Sequence, residues 1–164
     1  MNDRRAFIGL IGAATAGTLL FGRPTKAAAE LRFTVNRSPA DWKRVLGPQR
    51  FYILRQAGTE RAFTSPLLNE HRKGTFVCAG CNRPLFSSAT KFESGTGWPS
   101  FWKPLPGGVV TRSDRSLVME RTEVLCARCG GHLGHVFDDG PKPTGLRYCM
   151  NGLALRFAPA GKIA

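Results

Sequence analysis

The chain has 164 residues, five of them cysteine, and a formal charge of +13. That length holds a single domain once any targeting segment is set aside, which excludes a multidomain assembly. The 24 basic residues are scattered with no block of five or six, so the charge reads as a solvated surface drawn to anionic membrane or envelope polymers and not as a nucleic-acid tail.

In chain order, the first 29 residues have the layout of a cleavable export leader. Arg4 and Arg5 sit side by side, an apolar Gly- and Ala-rich run follows from Ile8 to Gly22, and Ala27–Ala29 supply small residues for cleavage. The paired arginines indicate the twin-arginine route. A membrane anchor is the competing reading, but the run is short and glycine-rich for a span. Cleavage near Ala29 leaves one domain, residues 30–164, without stable membrane insertion and with the bacterial periplasm as its expected location. Removing the leader's four basic residues and one acid leaves 20 basic and 10 acidic residues, a net +10.

Residues 30–37 read as extended. Ser38-Pro39-Ala40-Asp41 is a helix start: a serine cap, a proline at the first helical position and an acid for the capping box. Gly47-Pro48 should break this helix after Leu46, and a second should run from Gln49 to Gln56 before Gly58. From Gly74 the texture changes to short apolar runs between Gly and Pro residues: Thr75–Val77, Gly108–Thr111, Leu117–Thr122, Val136–Phe137 and Leu153–Phe157. These predict a mainly β fold of short strands joined by turns, preceded by short N-terminal helices.

Four cysteines form two Cys-x-x-Cys pairs, Cys78/Cys81 and Cys126/Cys129. Two residues between cysteines let both thiolates reach one ion, and two such knuckles close a tetrahedral site, here for structural zinc. Two disulfides or two redox pairs are the alternatives, favoured by an oxidising compartment. The 44 residues between the pairs exceed what a simple zinc ribbon uses.

Cys149 is left over. On an extended strand Arg147, Cys149 and Asn151 project to one face, and a nearby arginine favours the reactive thiolate. A buried free cysteine that merely packs is the plainer alternative. In GGHLGHVFDDGP, His132 and His135 lie within four residues in glycine-rich sequence, where acid–base work suits a group that titrates near neutrality. FESGTGWPSFW offers Trp98, Phe101 and Trp102 as flat walls, with at least one tryptophan expected in the core.

Together GTFVCAGC, KFESGTGWPSFW, CARCGGHLGHVFDDGP and GLRYCMNGLALRF resemble the methionine-R-sulfoxide reductases of the B type, from about Asp41 to Phe157. The resemblance implies coiled antiparallel sheets around a small core, with zinc on Cys78, Cys81, Cys126 and Cys129. It implies Cys149 as nucleophile and His135 as the acid. His132 and Asn151 would bind and polarise the sulfoxide oxygen or orient the acid, and Trp98 and Phe137 would line the substrate pocket. Asp139 and Arg147 would orient the histidine and tune the thiol. The implied reaction reduces methionine-R-sulfoxide in oxidised proteins or peptides, leaving a sulfenic acid on Cys149.

Many members of that family carry a resolving cysteine in the stretch before the tryptophan, where this chain has Thr96. An external thiol, small or thioredoxin-like, is then expected to reduce the sulfenic acid, with a monomer as the working unit. A zinc-held binding module without catalysis and a thiol–disulfide oxidoreductase working through a Cys-x-x-Cys pair are the rival readings.

Overall fold

The computed structural model describes residues 31–116 and 120–161. The expected leader lies outside the described residues, as do positions 117–119 of the strand expected over 117–122.

Ser38 caps α1 (Pro39–Gln56), accepting from the Asp41 amide at 3.1 Å while its hydroxyl donates to the Asp41 carboxylate at 2.7 Å. A cap of this kind contributes about 1 kcal/mol. Gly47, at φ 68° and ψ 172°, kinks the helix just before Pro48, so the two predicted helices are the two arms of α1. Trp42 and Leu46 from the first arm and Ile53 and Leu54 from the second are buried.

Nine strands follow among the described residues: β1 (Gly74–Cys78), β2 (Pro84–Ser87), β3 (Lys91–Phe92), β4 (Ser100–Phe101), β5 (Val109–Asp114), β6 (Arg121–Cys126), β7 (His132–Phe137), β8 (Arg147–Met150) and β9 (Leu155–Pro159). They form two antiparallel sheets, ordered β2-β1-β9 and β3-β4-β8-β7-β6-β5. The expected mainly β architecture is present.

Phe76 on β1, Phe86 on β2 and Phe101 on β4 join the two sheets. Phe101 stacks on Phe86 at 4.4 Å between ring centroids and meets the Phe76 ring edge-on at 4.9 Å. All three are fully buried, and truncating such a ring costs roughly 3–5 kcal/mol. The tryptophan expected in this core is absent from it: in FESGTGWPSFW the core position is taken by Phe101, while Trp98 and Trp102 are only half-buried. Strand alternation explains this, because Phe101 points from β4 toward the sheet interface and its neighbours cannot.

β7 is longer than the sequence reading, and β9 is shifted along the chain. β7 begins at His132, four residues before the expected Val136, because GGHLG reads as a turn. Gly134 belongs there for a different reason. Its φ is 154°, and a Cβ at that position would overlap the Cys149 carbonyl oxygen of β8. The glycine lets β7 and β8 approach closely. The strand expected from Leu153 starts at Leu155, since Gly152–Ala154 form a 3₁₀ turn.

Candidate active site and metal site

β8 lies inside the six-stranded sheet, so Cys149 has a neighbour on both sides. It pairs with Ser100 on β4 and with His135 on β7. His135 in turn faces Glu123 on β6, and Glu123 faces Arg112 on β5. Residues directly opposite share a face, with Cβ atoms about 5 Å apart. A polar row, Ser100–Cys149–His135–Glu123–Arg112, therefore crosses one face of the sheet.

The side chains complete two histidine–carboxylate pairs. His135 Nε2 lies 2.7 Å from Asp114 Oδ2, and Arg121 also donates to that oxygen at 2.7 Å. Bonds from Ser116, then from His135 and Arg121, hold the Asp114 carboxyl below the usual carboxylate range. An ionised carboxylate cannot donate, so Nε2 carries the proton and donates. Burial pushes the His135 ring below its ordinary value, against the pull of Asp114. The ring is then neutral near pH 7, with Nδ1 free to accept a proton.

His132 Nδ1 lies 2.6 Å from Glu123 Oε1. Burial pushes the Glu123 carboxyl up, but His132 and Arg112 outweigh it and hold it down. The two imidazole rings meet in a T-shaped contact, 5.4 Å between centroids. His132 Nε2 is buried and has no hydrogen-bond partner among the described residues.

A cavity of about 130 Å³ opens over the thiol, lined by Cys149, His135, Trp98, Phe137, Asn151 and Arg121 among others. The Trp98 indole is fixed by donation from Nε1 to the Glu60 carbonyl at 3.2 Å. His132 lies outside this cavity and lines a second one of about 190 Å³ behind it, with Asp114, Glu123 and His135. Larger clefts of 580 and 600 Å³ elsewhere have no cysteine in their walls.

Arg147 and Cys149 do share a strand face, but Asn151 falls one residue past the end of β8. Its amide donates to the Leu133 carbonyl at 3.2 Å and its carbonyl accepts from the Glu60 amide at 2.9 Å. Asp139 does not reach a histidine. Both its oxygens accept from Arg147 at 2.8 Å, and the Arg147 guanidinium stacks 4.4 Å over the Phe137 ring. Asp114, not Asp139, orients His135.

The sequence reading missed Asp114, Glu123, Arg121 and Glu60. Asp114 and Glu123 had a faint signal: Arg112-x-Asp114 and Arg121-x-Glu123 alternate charges on consecutive strands, which puts all four on one sheet face. Glu60 had none. It is buried in a loop, and its carboxylate accepts from the Gly152 amide and from the Leu153 amide, the latter at 2.9 Å. Glu60 thus ties Trp98, Asn151 and the turn after Cys149 to one point.

The four remaining sulfurs lie within 4.8 Å of one another. Cys78 and Cys129 are 3.7 Å apart, Cys81 and Cys126 3.5 Å. A tetrahedron with metal–sulfur bonds of about 2.3 Å requires sulfur separations of about 3.8 Å. A disulfide needs about 2.05 Å, and all five cysteines are free. The cluster fits one metal ion and no disulfide.

Residues 46–159 match the SelR domain family. A peptide methionine sulfoxide reductase MsrB of Leptospira interrogans is 59% identical over 128 residues, 77% of this chain and 98% of that protein. Proteins of the same name from Agrobacterium fabrum and Methanosarcina barkeri are 56% and 53% identical, over 76% and 75% of this chain and 93% and 87% of theirs. With a SelR match over most of its length and relatives of this identity, the chain belongs to the MsrB family of peptide methionine sulfoxide reductases.

Proposed function

We propose that the chain reduces the R epimer of methionine sulfoxide in oxidised peptides and proteins, with Cys149 as nucleophile. The observation that carries this reading is the Cys149–His135–Asp114 arrangement at the wall of a small cavity bordered by Trp98 and Phe137. The apolar rings suit the substrate's S-methyl group, and the R preference comes from the family resemblance.

His135 works first as base and then as acid. Its Nδ1 takes the Cys149 thiol proton while Asp114 stabilises the charged ring. The thiolate attacks the sulfoxide sulfur to form an S–S bond, and the proton passes to the sulfoxide oxygen. The hydroxyl then migrates from the substrate sulfur to Cys149 Sγ as the S–S bond breaks, so that methionine leaves, Cys149 becomes a sulfenic acid and no net proton is consumed. Arg121 lines the cavity beside the sulfur, and Arg147 shares its strand face.

With Thr96 at the place of the resolving cysteine, the sulfenic acid condenses with an external thiol, releasing water and leaving a mixed disulfide. A second thiol then releases Cys149 as thiol and departs as the oxidised partner. A small thiol or a thioredoxin-like protein serves as donor. Cys78, Cys81, Cys126 and Cys129 would hold zinc, which with four sulfur ligands has no open position and braces the fold. The leader-like N-terminus supports export and repair of periplasmic proteins by a monomer. No described helix is long and apolar enough to cross a membrane.

The test is turnover of a methionine-R-sulfoxide peptide with dithiothreitol, beside its S epimer, for wild type and Cys149→Ser. R-selective turnover lost in the variant is the expected result. A folded, metal-loaded wild type without turnover would favour a binding module.

A further inference from the structure

We infer that Thr96, Ser94 and Ser100 form a hydroxyl chain that bonds the Cys149 sulfur and reverses its direction when the thiol ionises, which makes Thr96 a further catalytic residue. The inference rests on Cys149 being the nucleophile.

Thr96 Oγ1 lies 3.7 Å from Cys149 Sγ. Ser94 Oγ is 2.9 Å from Thr96 Oγ1 and 2.7 Å from Ser100 Oγ. Ser100 Oγ is 3.1 Å from the Trp98 carbonyl. Ser100 is 1% exposed, and it is the residue paired with Cys149 across β4 and β8. The chain is therefore anchored in the same polar row as the thiol.

Each hydroxyl has one proton to give. If Ser100 donates to the Trp98 carbonyl, Ser94 must donate to Ser100 and Thr96 to Ser94. Thr96 then has only lone pairs to offer, and it accepts from the Cys149 S–H. A thiolate cannot donate, so this arrangement suits the resting thiol. Rotating three hydroxyls reverses it: Ser100 donates to Ser94, Ser94 to Thr96, and Thr96 to the sulfur anion. No heavy atom moves. The reversal gives up the bond to the Trp98 carbonyl and gains a charge-assisted one, which is about twice as strong as a neutral bond. After oxygen transfer the sulfur is no longer an anion, so the charge-assisted bond that held the reversed direction is gone and the chain returns to its first direction.

An apolar residue of the same shape at position 96 would leave the thiolate without this donor. The charged or titratable groups around the sulfur, namely His135 from β7, Arg121 from β6 and Arg147 on β8, are untouched by such a change. The experiment is the rate at which iodoacetamide labels the Cys149 peptide in the metal-loaded full chain at pH 7, read by mass spectrometry. Thr96→Val should slow labelling about 3- to 10-fold, and Thr96→Ser should restore it. Ser94→Ala, which does not touch the sulfur, should also slow it, by a smaller factor. Wild-type labelling in Thr96→Val overturns the contact, and slowing there that Ser94→Ala does not share overturns the chain. Slowing in Thr96→Ser equal to that in Thr96→Val marks a packing effect and also overturns the proposal. A chain that labels as expected yet turns over no sulfoxide refutes the reductase reading alone, so the two can fail separately.

Discussion

The five thiols of this chain fall into two environments. Around the four knuckle cysteines, every sulfur has other sulfurs as its neighbours, at 3.5 and 3.7 Å in two of the pairs. Among the described residues, no second cysteine lines the cavity around Cys149. Its neighbours are a histidine, a hydroxyl, two arginines and the rings of Trp98 and Phe137. The same side chain closes a metal site in one place and faces an open cavity in the other. What separates the roles is the company each thiol keeps and its access, since burial differs only in part: Cys81 and Cys149 are both half-buried.

The sharpest way to break this comparison is to exchange sulfur for oxygen at each site. Cys149→Ser should abolish sulfoxide reduction, by more than about 10³-fold, while metal content and melting temperature stay at wild-type values. Cys126→Ser should do the opposite first. Binding of structural zinc is worth roughly 10–16 kcal/mol in small zinc folds, so this variant should lose its metal and unfold at far lower temperature. Metal analysis and thermal denaturation of the pair read both outcomes. Loss of metal in Cys149→Ser would erase the distinction.

A smaller effect separates the two acids near the cavity. Asp114→Asn replaces the charged acceptor of the His135 Nε2 proton with a neutral amide whose NH2 can donate and so permits the opposite tautomer, and turnover should fall about 10²-fold. Because Asp114 raises the His135 ring's proton affinity, the acid limb of the activity profile should also move to lower pH in this variant. Asp139→Asn should cost only a few-fold in turnover and under about 1 kcal/mol in stability, because its side chain is 60% exposed and a solvent-facing ion pair is worth little. If Asp139→Asn were the more damaging, the assignment of Asp114 to His135 would be wrong.

Stability against pH offers the finest test. The His135 value in the fold lies below the ordinary 6.5, so on acidification the unfolded chain takes up this proton first. The neutral-ring contribution is whole above about 6.5 and lost as pH falls through the lowered value. Asp114, held below its ordinary 3.8, contributes above that pH and is lost as pH falls through its folded value. Melting temperature should therefore decline in two acid stages, and Asp114→Asn should shrink the lower one, to which Glu123 and Glu70 also contribute because both are held below their ordinary values.

Local chemistry made much of the molecule legible in the sequence. Ser38, Pro39, Gly47 and Pro48 write the start and the kink of α1, because capping and φ restriction act within a few residues. The spacing of the two Cys-x-x-Cys pairs announces a metal cluster, since ligand reach is set by the local chain. Cys149, His132 and His135 stand out for their residue types and near neighbours.

Only the tertiary structure decided which partners those residues have. Asp114 and His135 are 21 positions apart and meet because β5, β6 and β7 lie side by side. Glu60 reaches Gly152 and Leu153 across more than 90 positions. The GGHLG segment reads as a turn yet forms part of β7, where Gly134 serves the close approach of β8. Pairing between strands depends on the register of the whole sheet, and no window of sequence contains it. The sequence by itself therefore determined which cysteines cluster for a metal ion and which thiol and histidines stand as candidates for the chemistry. Sheet register decided which carboxylate holds which histidine, because hydrogen bonds that set a proton's position are made between strands.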